Sequence, residues 1–487
     1  MSTSLKIPLA TELATTRLAQ LIAPLLVPGD VVLLDGPIGA GKTHFCRALI
    51  QQRLGRAEDV PSPTFTLVQT YDADVEIWHA DLYRLTHPDE ARELGLEDAF
   101  DTAICLIEWP DRLGTHLPPN PIRIAFAVEG EGRCALIDSG ARPALKALLQ
   151  SELREGQIVD FLQHAGWQDA ERTALRGDAS ARRYERLHLD GQTRLLMDAP
   201  PGQADSVTDF AQIDRHLLQI DLSAPRIHAE DIAHGFLLIE DFGDGVFARL
   251  MDSDPARERQ LYTAAVDVLV HLQSCEPASG IPALTTADWA QSTAVALDWY
   301  RFAICGNRID AGPLITTLQD HLARLANQPP VMILRDYHGQ NLMWLPDRAG
   351  LRQVGLLDFQ LAQLGQPAYD LVSLLQDARR FVIPQIEADM IQHFATRKNF
   401  PISAFMASYA ALGALRALRI LGVFARLCLV SAKPGYIVLM PRVWAHLQQN
   451  LAHPELGNLR AICDHLLPPA TDENLQRIRA QCGNFQS

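Results

Sequence analysis

Gly36-Pro37-Ile38-Gly39-Ala40-Gly41-Lys42-Thr43 is the stretch that decides how the N-terminal part of the chain folds. It matches G-x-x-x-x-G-K-[ST], a loop that wraps a polyphosphate in main-chain N–H groups and needs glycine where side chains would block the approach. Gly36, Gly39 and Gly41 fill those places. Lys42 is placed to reach the β- and γ-phosphates of ATP, and the Thr43 hydroxyl to ligate Mg2+. A glycine turn with an incidental lysine is the plain alternative, but it leaves the context unexplained. Residues 31–34 are an apolar run that reads as a buried strand before the loop. Residues 44–54 carry helical spacing through Phe45, Leu49 and Ile50 after it. That helix directs its positive dipole end at the phosphates.

Further apolar runs at residues 104–107 and 122–128 read as buried strands, so strands and helices alternate and predict a three-layer α/β P-loop NTPase domain. The first run ends in Glu108, in the form of a Walker B element that holds Mg2+ through water. Asp81 closes another apolar segment; its spacing fits service to the metal or the attacking water and a helix N-cap equally well. Residues 139–156 read as helical or linker-like. The boundary is placed near residue 150, with domains at 1–148 and 152–487.

Four ordered motifs accompany the loop: Ser62-Pro63-Thr64-Phe65, His79-Ala-Asp-Leu-Tyr-Arg-Leu85, Leu94-Gly95-Leu96 and Glu108-Trp109. Residues 5–138 thereby resemble the TsaE-type ATPases that support bacterial tRNA N6-threonylcarbamoyladenosine synthesis. The resemblance implies that Lys42 and Thr43 bind phosphate and Mg2+ and that Thr64 lies on a switch-like loop. It further implies that Asp81 and Glu108 assist the metal, that Trp109 sits beside the nucleotide, and that partner proteins of the modification complex dock onto the domain.

The second half begins with alternating segments, residues 183–189 and 193–198, around Asp190-Gly191, a hairpin signal. A strand candidate at 236–240 follows, then helical spacing at 258–273 and 405–430. Leu334-Arg-Asp336-Tyr-His338-Gly-Gln-Asn341-Leu-Met-Trp-Leu345 carries the chemistry. An Asp with an Asn five residues on is the spacing of a kinase catalytic loop, the Asp taking the acceptor's proton and the Asn turning back to Mg2+. The apolar run ending at Asp358-Phe359 supplies the second metal-holding acid. His338 reads as a loop-fixing residue that bonds main-chain carbonyls, and Asp370 as structural, bonding the catalytic loop.

These segments, with Gly177-Asp-Ala-Ser180, residues 196–201 and 239–244, and Leu421-Gly-Val-Phe-Ala-Arg426, resemble the aminoglycoside phosphotransferase and choline kinase superfamily over residues 155–470. Within it they are most similar to the kinases that phosphorylate the anomeric hydroxyl of N-acetylmuramate and N-acetylglucosamine in peptidoglycan recycling. The resemblance implies a bilobal, protein-kinase-like α+β domain, a phosphate-covering turn at Gly177 and Ser180, and an adenine-facing hinge at residues 238–241, including Glu240. One departure stands out: kinases carry a strand lysine that pairs with the α- and β-phosphates. Here the only lysines after Lys146 are Lys398 and Lys433, and Met197 occupies the expected strand. Either an arginine (Arg182, Arg183 or Arg194) replaces it, or the domain is a weak kinase or pseudokinase; replacement is expected, with Arg183 as the candidate to test, since a dead kinase need not keep Asp336, Asn341 and Asp358.

The 487 residues exceed one ordinary core, and a net charge of −15 argues against autonomous nucleic-acid binding. Eight scattered cysteines without a CxxC pair argue against zinc and disulfide frameworks. The absence of a signal-peptide pattern and of apolar runs near 18 residues predicts a cytoplasmic protein with no membrane contact. The expectation is a bifunctional enzyme using ATP and Mg2+: an ATPase for tRNA modification and a kinase for a small sugar. Aminoglycosides, choline or an amino-acid hydroxyl are the alternative acceptors, and a non-catalytic module regulating the ATPase is the alternative role.

Overall fold

The computed structural model describes residues 4–129, 132–175, 182–203 and 206–485. The chain divides into two compact units, residues 1–163 and 164–487. The boundary lies beyond the expected position near 150 because a single helix, Pro143–His164, runs through it.

In the first unit, β1 (Leu5–Leu9), α1 (Glu12–Ile22), β2 (Val31–Asp35), α2 (Lys42–Leu54), β3 (Val68–Asp72), β4 (Glu76–Asp81), α3 (Leu96–Thr102), β5 (Ile104–Glu108), β6 (Ile122–Glu129) and β7 (Gly132–Asp138) build one sheet and its covering helices. The strand order is β1-β7-β6-β2-β5-β4-β3. The central four strands are parallel, and β1, β7 and β3 add antiparallel edges. Apolar runs without alternation are what a sheet covered on both faces requires. Val32, Leu34, Ile104 and Leu106 pack with Leu18, Ile22, Phe45 and Leu49 of α1 and α2. Val31, Leu33, Cys105 and Ile107 pack on the opposite face with Leu96 and Ala99 of α3. Each such aliphatic side chain contributes about 1.5–3 kcal/mol on full burial.

The second unit opens with β8 (Glu171–Leu175), β9 (Arg183–Leu189), β10 (Gln192–Asp198), α4 (Val207–Gln219), β11 (Ile227–Asp231) and β12 (Phe236–Glu240). These strands form an antiparallel sheet in the order β11-β12-β10-β9-β8. The β9–β10 hairpin turns at Asp190 and Gly191, both at positive φ (49° and 74°), as a tight two-residue turn demands. The helical part follows: α5 (Glu258–Leu272), α6 (Ala368–Leu375) and the long, largely buried α7 (Ile402–Leu429). Two short two-stranded antiparallel sheets lie within it, β13 (Val331–Ile333) with β16 (Gln363–Gly365) and β14 (Leu342–Trp344) with β15 (Val354–Leu356). Among the described residues no helix is long and apolar enough to cross a membrane.

Candidate active sites

The glycine-rich loop joins β2 to α2. Gly36 adopts φ 132°, and a Cβ there would lie 2.5 Å from the Phe126 carbonyl oxygen, so only glycine fits. Gly41, at φ 110°, turns the chain into α2, where Lys42 is the first residue. Lys42 Nζ donates to the carbonyls of Gly36 (2.6 Å) and Pro37 (3.1 Å) and stands 3.9 Å from the Trp109 ring centroid. Burial lowers its pKa, while Glu108, Asp81 and Asp35 oppose that shift. Thr43 Oγ1 donates to Glu108 Oε2 at 3.1 Å. Register pairs Asp81 with Glu108 on adjacent parallel strands, which brings both acids to one end of the sheet. Thr43, Thr64, Asp81, Glu108, Trp109, Gly39, Gly41 and Lys42 all line a cavity of about 430 Å³. The hydroxyl and carboxylate oxygens at its floor are the donor set a hard divalent cation takes.

Asp81 does not cap a helix. Its Oδ2 accepts from Ser62 Oγ and Thr64 Oγ1, both at 2.7 Å, and its Oδ1 accepts from the Tyr83 N–H at 3.2 Å. It thereby fastens the loop at residues 62–65 beside the cavity. Two features escaped the sequence. His79 Nε2 bonds Glu108 Oε1 at 3.0 Å in a buried position, and Arg133 joins the cavity lining. His79 sits in an apolar strand pattern, and only strand pairing reveals its partner. Cys46, His79 and Glu108 bring ligand atoms within 4.8 Å of one another, a cluster that cysteine spacing does not disclose. Burial, with the nearby charges of Glu108 and Asp81, holds the Cys46 thiol well above its usual pKa.

In the second unit the catalytic loop connects β13 to β14, and Asp358 follows β15. Pairing of Leu342 with Leu356, continued by Leu357 N–H to Asn341 O (3.0 Å), sets Asn341 beside Asp358. Asn341 Nδ2 donates to Asp336 O at 2.9 Å and approaches Asp358 Oδ2 at 3.4 Å, which leaves Asn341 Oδ1 as the atom available to a cation. Gln360 Nε2 holds Asp358 Oδ1 at 2.8 Å. Arg335 (φ 71°) and Asp358 (φ 57°) occupy the left-handed region, strain that the surroundings must hold. Asp370 provides much of that hold. Fully buried, it accepts from the N–H groups of Leu334 (2.6 Å) and Arg335 (2.9 Å), and burial raises its pKa to about 6. Tyr337 OH is anchored on Ala265 O at 2.8 Å.

His338 departs from expectation. The loop carbonyls it was to bond are taken: Arg335 O by Ser373 and Arg416, Asp336 O by Asn341 Nδ2, His338 O by Asn341 N–H, and Gly339 O by Ala248 N–H. Its Nδ1 is buried without a hydrogen-bond partner among the described residues, and the residue lines a cavity of about 430 Å³ beside Asp336. Burial lowers its pKa, so the ring is neutral near pH 7.

Gly177 and Ser180 lie outside the described residues. Met197 is fully buried in the apolar core, so its strand offers no cation there. On α4, the helix after that strand, Asp214 is completely buried with neither carboxylate oxygen hydrogen-bonded among the described residues, and burial raises its pKa to about 7. Arg194 lies over Trp167 at 4.7 Å, Arg186 is tied to Asp241 and Asp244, and Arg182 is buried. Arg183 is exposed at the first position of β9. The Glu240 carboxylate is engaged by Arg348 and the Arg226 N–H.

Residues 9–135 match the family described as threonylcarbamoyl adenosine biosynthesis protein TsaE, and residues 171–400 match the phosphotransferase enzyme family. The chain is 38% identical over 363 residues to an N-acetylmuramate/N-acetylglucosamine kinase of Caulobacter vibrioides, covering 66% of this chain and 99% of that protein. A Pseudomonas aeruginosa protein with the same name is 32% identical over 310 residues, with coverage of 60% and 89%. The tRNA threonylcarbamoyladenosine biosynthesis protein TsaE of Rickettsia felis is 41% identical over 158 residues, covering 32% of this chain and 85% of that protein.

Proposed function

Because the chain belongs to the TsaE family through its first unit and to the N-acetylmuramate/N-acetylglucosamine kinases of the phosphotransferase enzyme family through its second, we propose that it is a bifunctional cytoplasmic enzyme. The first unit hydrolyses ATP in support of tRNA threonylcarbamoyladenosine formation, docked on protein partners of that modification. The second transfers the γ-phosphoryl group of ATP to the anomeric hydroxyl of N-acetylmuramate or N-acetylglucosamine.

In the kinase unit Asp336 accepts the proton of the acceptor hydroxyl as the bond to phosphorus forms. Asn341 and Asp358 are the residues that hold Mg2+, which when bound neutralises charge on the phosphate oxygens. Arg183 takes the place of the strand lysine against the phosphates. In the ATPase unit the loop amides and Lys42 hold the phosphates, Thr43 and Glu108 hold Mg2+, and Asp81 keeps Thr64 in position. Trp109 closes the site beside the nucleotide.

The observation that carries the kinase assignment is the convergence of Asp336, Asn341 and Asp358 on a strained, buttressed loop. Four arginines (Arg335, Arg379, Arg416 and Arg419) share the cavity with Asp336, a lining that disfavours cationic acceptors such as choline or an aminoglycoside. The test is Mg-ATP turnover by the full chain against N-acetylmuramate, N-acetylglucosamine, choline and kanamycin. Turnover of neither sugar defeats the assignment. For the first unit, a Lys42→Ala protein that still supports the tRNA modification in cells defeats the ATP-dependent role.

A further inference from the structure

The cavity beside Asp336 holds more positive charge than phosphoryl transfer employs. Of its three acids, Asp336 is the proposed base, Asp358 is bonded by Gln360, and Asp377 Oδ1 accepts from the Arg379 N–H at 2.8 Å. The arginines divide into two kinds. Arg335 belongs to the catalytic loop. Arg416 is spent on holding that loop, donating to Arg335 O at 3.1 Å and Ser373 Oγ at 2.7 Å. Arg419, nearly one turn further along α7, gives one N–H to Tyr369 OH at 2.9 Å and lies 5.9 Å from the Trp289 ring centroid, with no other side-chain hydrogen bond or ion pair among the described residues. The half-buried Arg379 side chain has no hydrogen-bond or ion-pair partner among the described residues, whereas the adjacent Arg380 is paired with Asp252 and Glu258. A partly desolvated guanidinium without a partner is unfavourable unless a ligand supplies the anion. Ile420, Val423, Phe424 and Leu427 continue the same wall of α7 as an apolar surface. The cavity therefore offers a cationic patch, an apolar wall and the base in about 430 Å³, a volume in the range of small-ligand sites.

We propose that Arg379 and Arg419 form a carboxylate-binding subsite through which this enzyme selects an N-acetylated amino sugar bearing a carboxylate over its neutral counterpart. The inference rests on the kinase reading above. A guanidinium matches a carboxylate with two parallel N–H···O bonds, which fixes orientation as well as adding attraction. N-acetylmuramate and N-acetylglucosamine are a matched pair for this purpose, since the former is the latter with a lactyl ether carboxylate added. Any group that reads the carboxylate must change the ratio of the two substrates.

The experiment measures kcat and KM of the full chain for each sugar with saturating Mg-ATP, in wild type, Arg379→Gln, Arg379→Lys and Arg419→Gln. Arg379→Gln removes no hydrogen bond or ion pair among the described residues and so is the primary variant. In both glutamine variants KM for N-acetylmuramate is expected to rise at least tenfold. The kcat/KM ratio of N-acetylmuramate to N-acetylglucosamine falls at least tenfold with it. Arg379→Lys, which keeps the charge but loses the planar fork, recovers part of that ratio. A ratio unchanged in Arg379→Gln, or equal losses on both sugars, overturns the subsite. If wild type turns over neither sugar, the kinase reading itself fails, a result distinct from the other two.

Discussion

Replacing Asp214 with asparagine is expected to erase a pH-dependent instability of the second unit. Asp214 is fully buried on α4, its two oxygens have no hydrogen-bond partner among the described residues, and burial raises its pKa from the usual 3.8 to about 7. The folded state therefore keeps a proton that the unfolded chain releases. Below pH 3.8 the group is protonated in both states and costs nothing. As pH rises, the folded state is penalised until its own carboxyl ionises near pH 7. With about 1.4 kcal/mol per unit of pKa difference, the penalty is about 2 kcal/mol at pH 5 and about 4 kcal/mol at pH 8. Asparagine has no such term, and whatever its buried amide costs is constant with pH. The stability of Asp214→Asn relative to wild type should thus increase by about 2–3 kcal/mol between pH 5 and pH 8. Urea unfolding followed by tryptophan fluorescence measures this, because Trp167, Trp289, Trp299, Trp344 and Trp444 all lie in the second unit. A difference between variant and wild type that stays constant within about 0.5 kcal/mol across that range would refute the orphaned-carboxylate account.

Asp336→Asn should lower kcat for sugar phosphorylation by about 10²–10⁴-fold, the contribution of a positioned base, with KM for ATP little changed; a kcat within threefold of wild type removes Asp336 from that role. Asn341→Ala should raise the Mg2+ concentration for half-maximal rate about tenfold, and an unaltered Mg2+ dependence assigns the metal elsewhere. Arg183→Ala should raise KM for ATP or abolish turnover, and wild-type kinetics would leave the strand-lysine position without this substitute. Gly36→Ala should destabilise the first unit by about 2 kcal/mol or more, since its Cβ meets the Phe126 carbonyl at 2.5 Å and φ is 132°; an unshifted melting transition contradicts that packing.

The phosphate loop, the strand and helix around it, the β9–β10 hairpin and the spacing of Asp336, Asn341 and Asp358 were legible because each depends on neighbours close in sequence. Glycine at Gly36 and Gly41 answers to local φ, and five-residue spacing answers to one loop. The helix Pro143–His164 was only half legible, since its composition suits a linker as well as a helix, and the domain boundary moved with it.

What sequence determined, then, is the pair of phosphate-handling chemistries, because their motifs are short and their geometry is set by adjacent backbone. Tertiary structure decided the rest. Strand pairing joined His79 to Glu108 across 29 positions. Packing left His338 without the carbonyls it was expected to bond. The bend that follows α6 and the long helix α7 brought Arg379 and Arg419 to one cavity with Asp336. Such encounters are fixed by how buried surfaces fit together, and no spacing along the chain encodes which side chain is left facing the ligand.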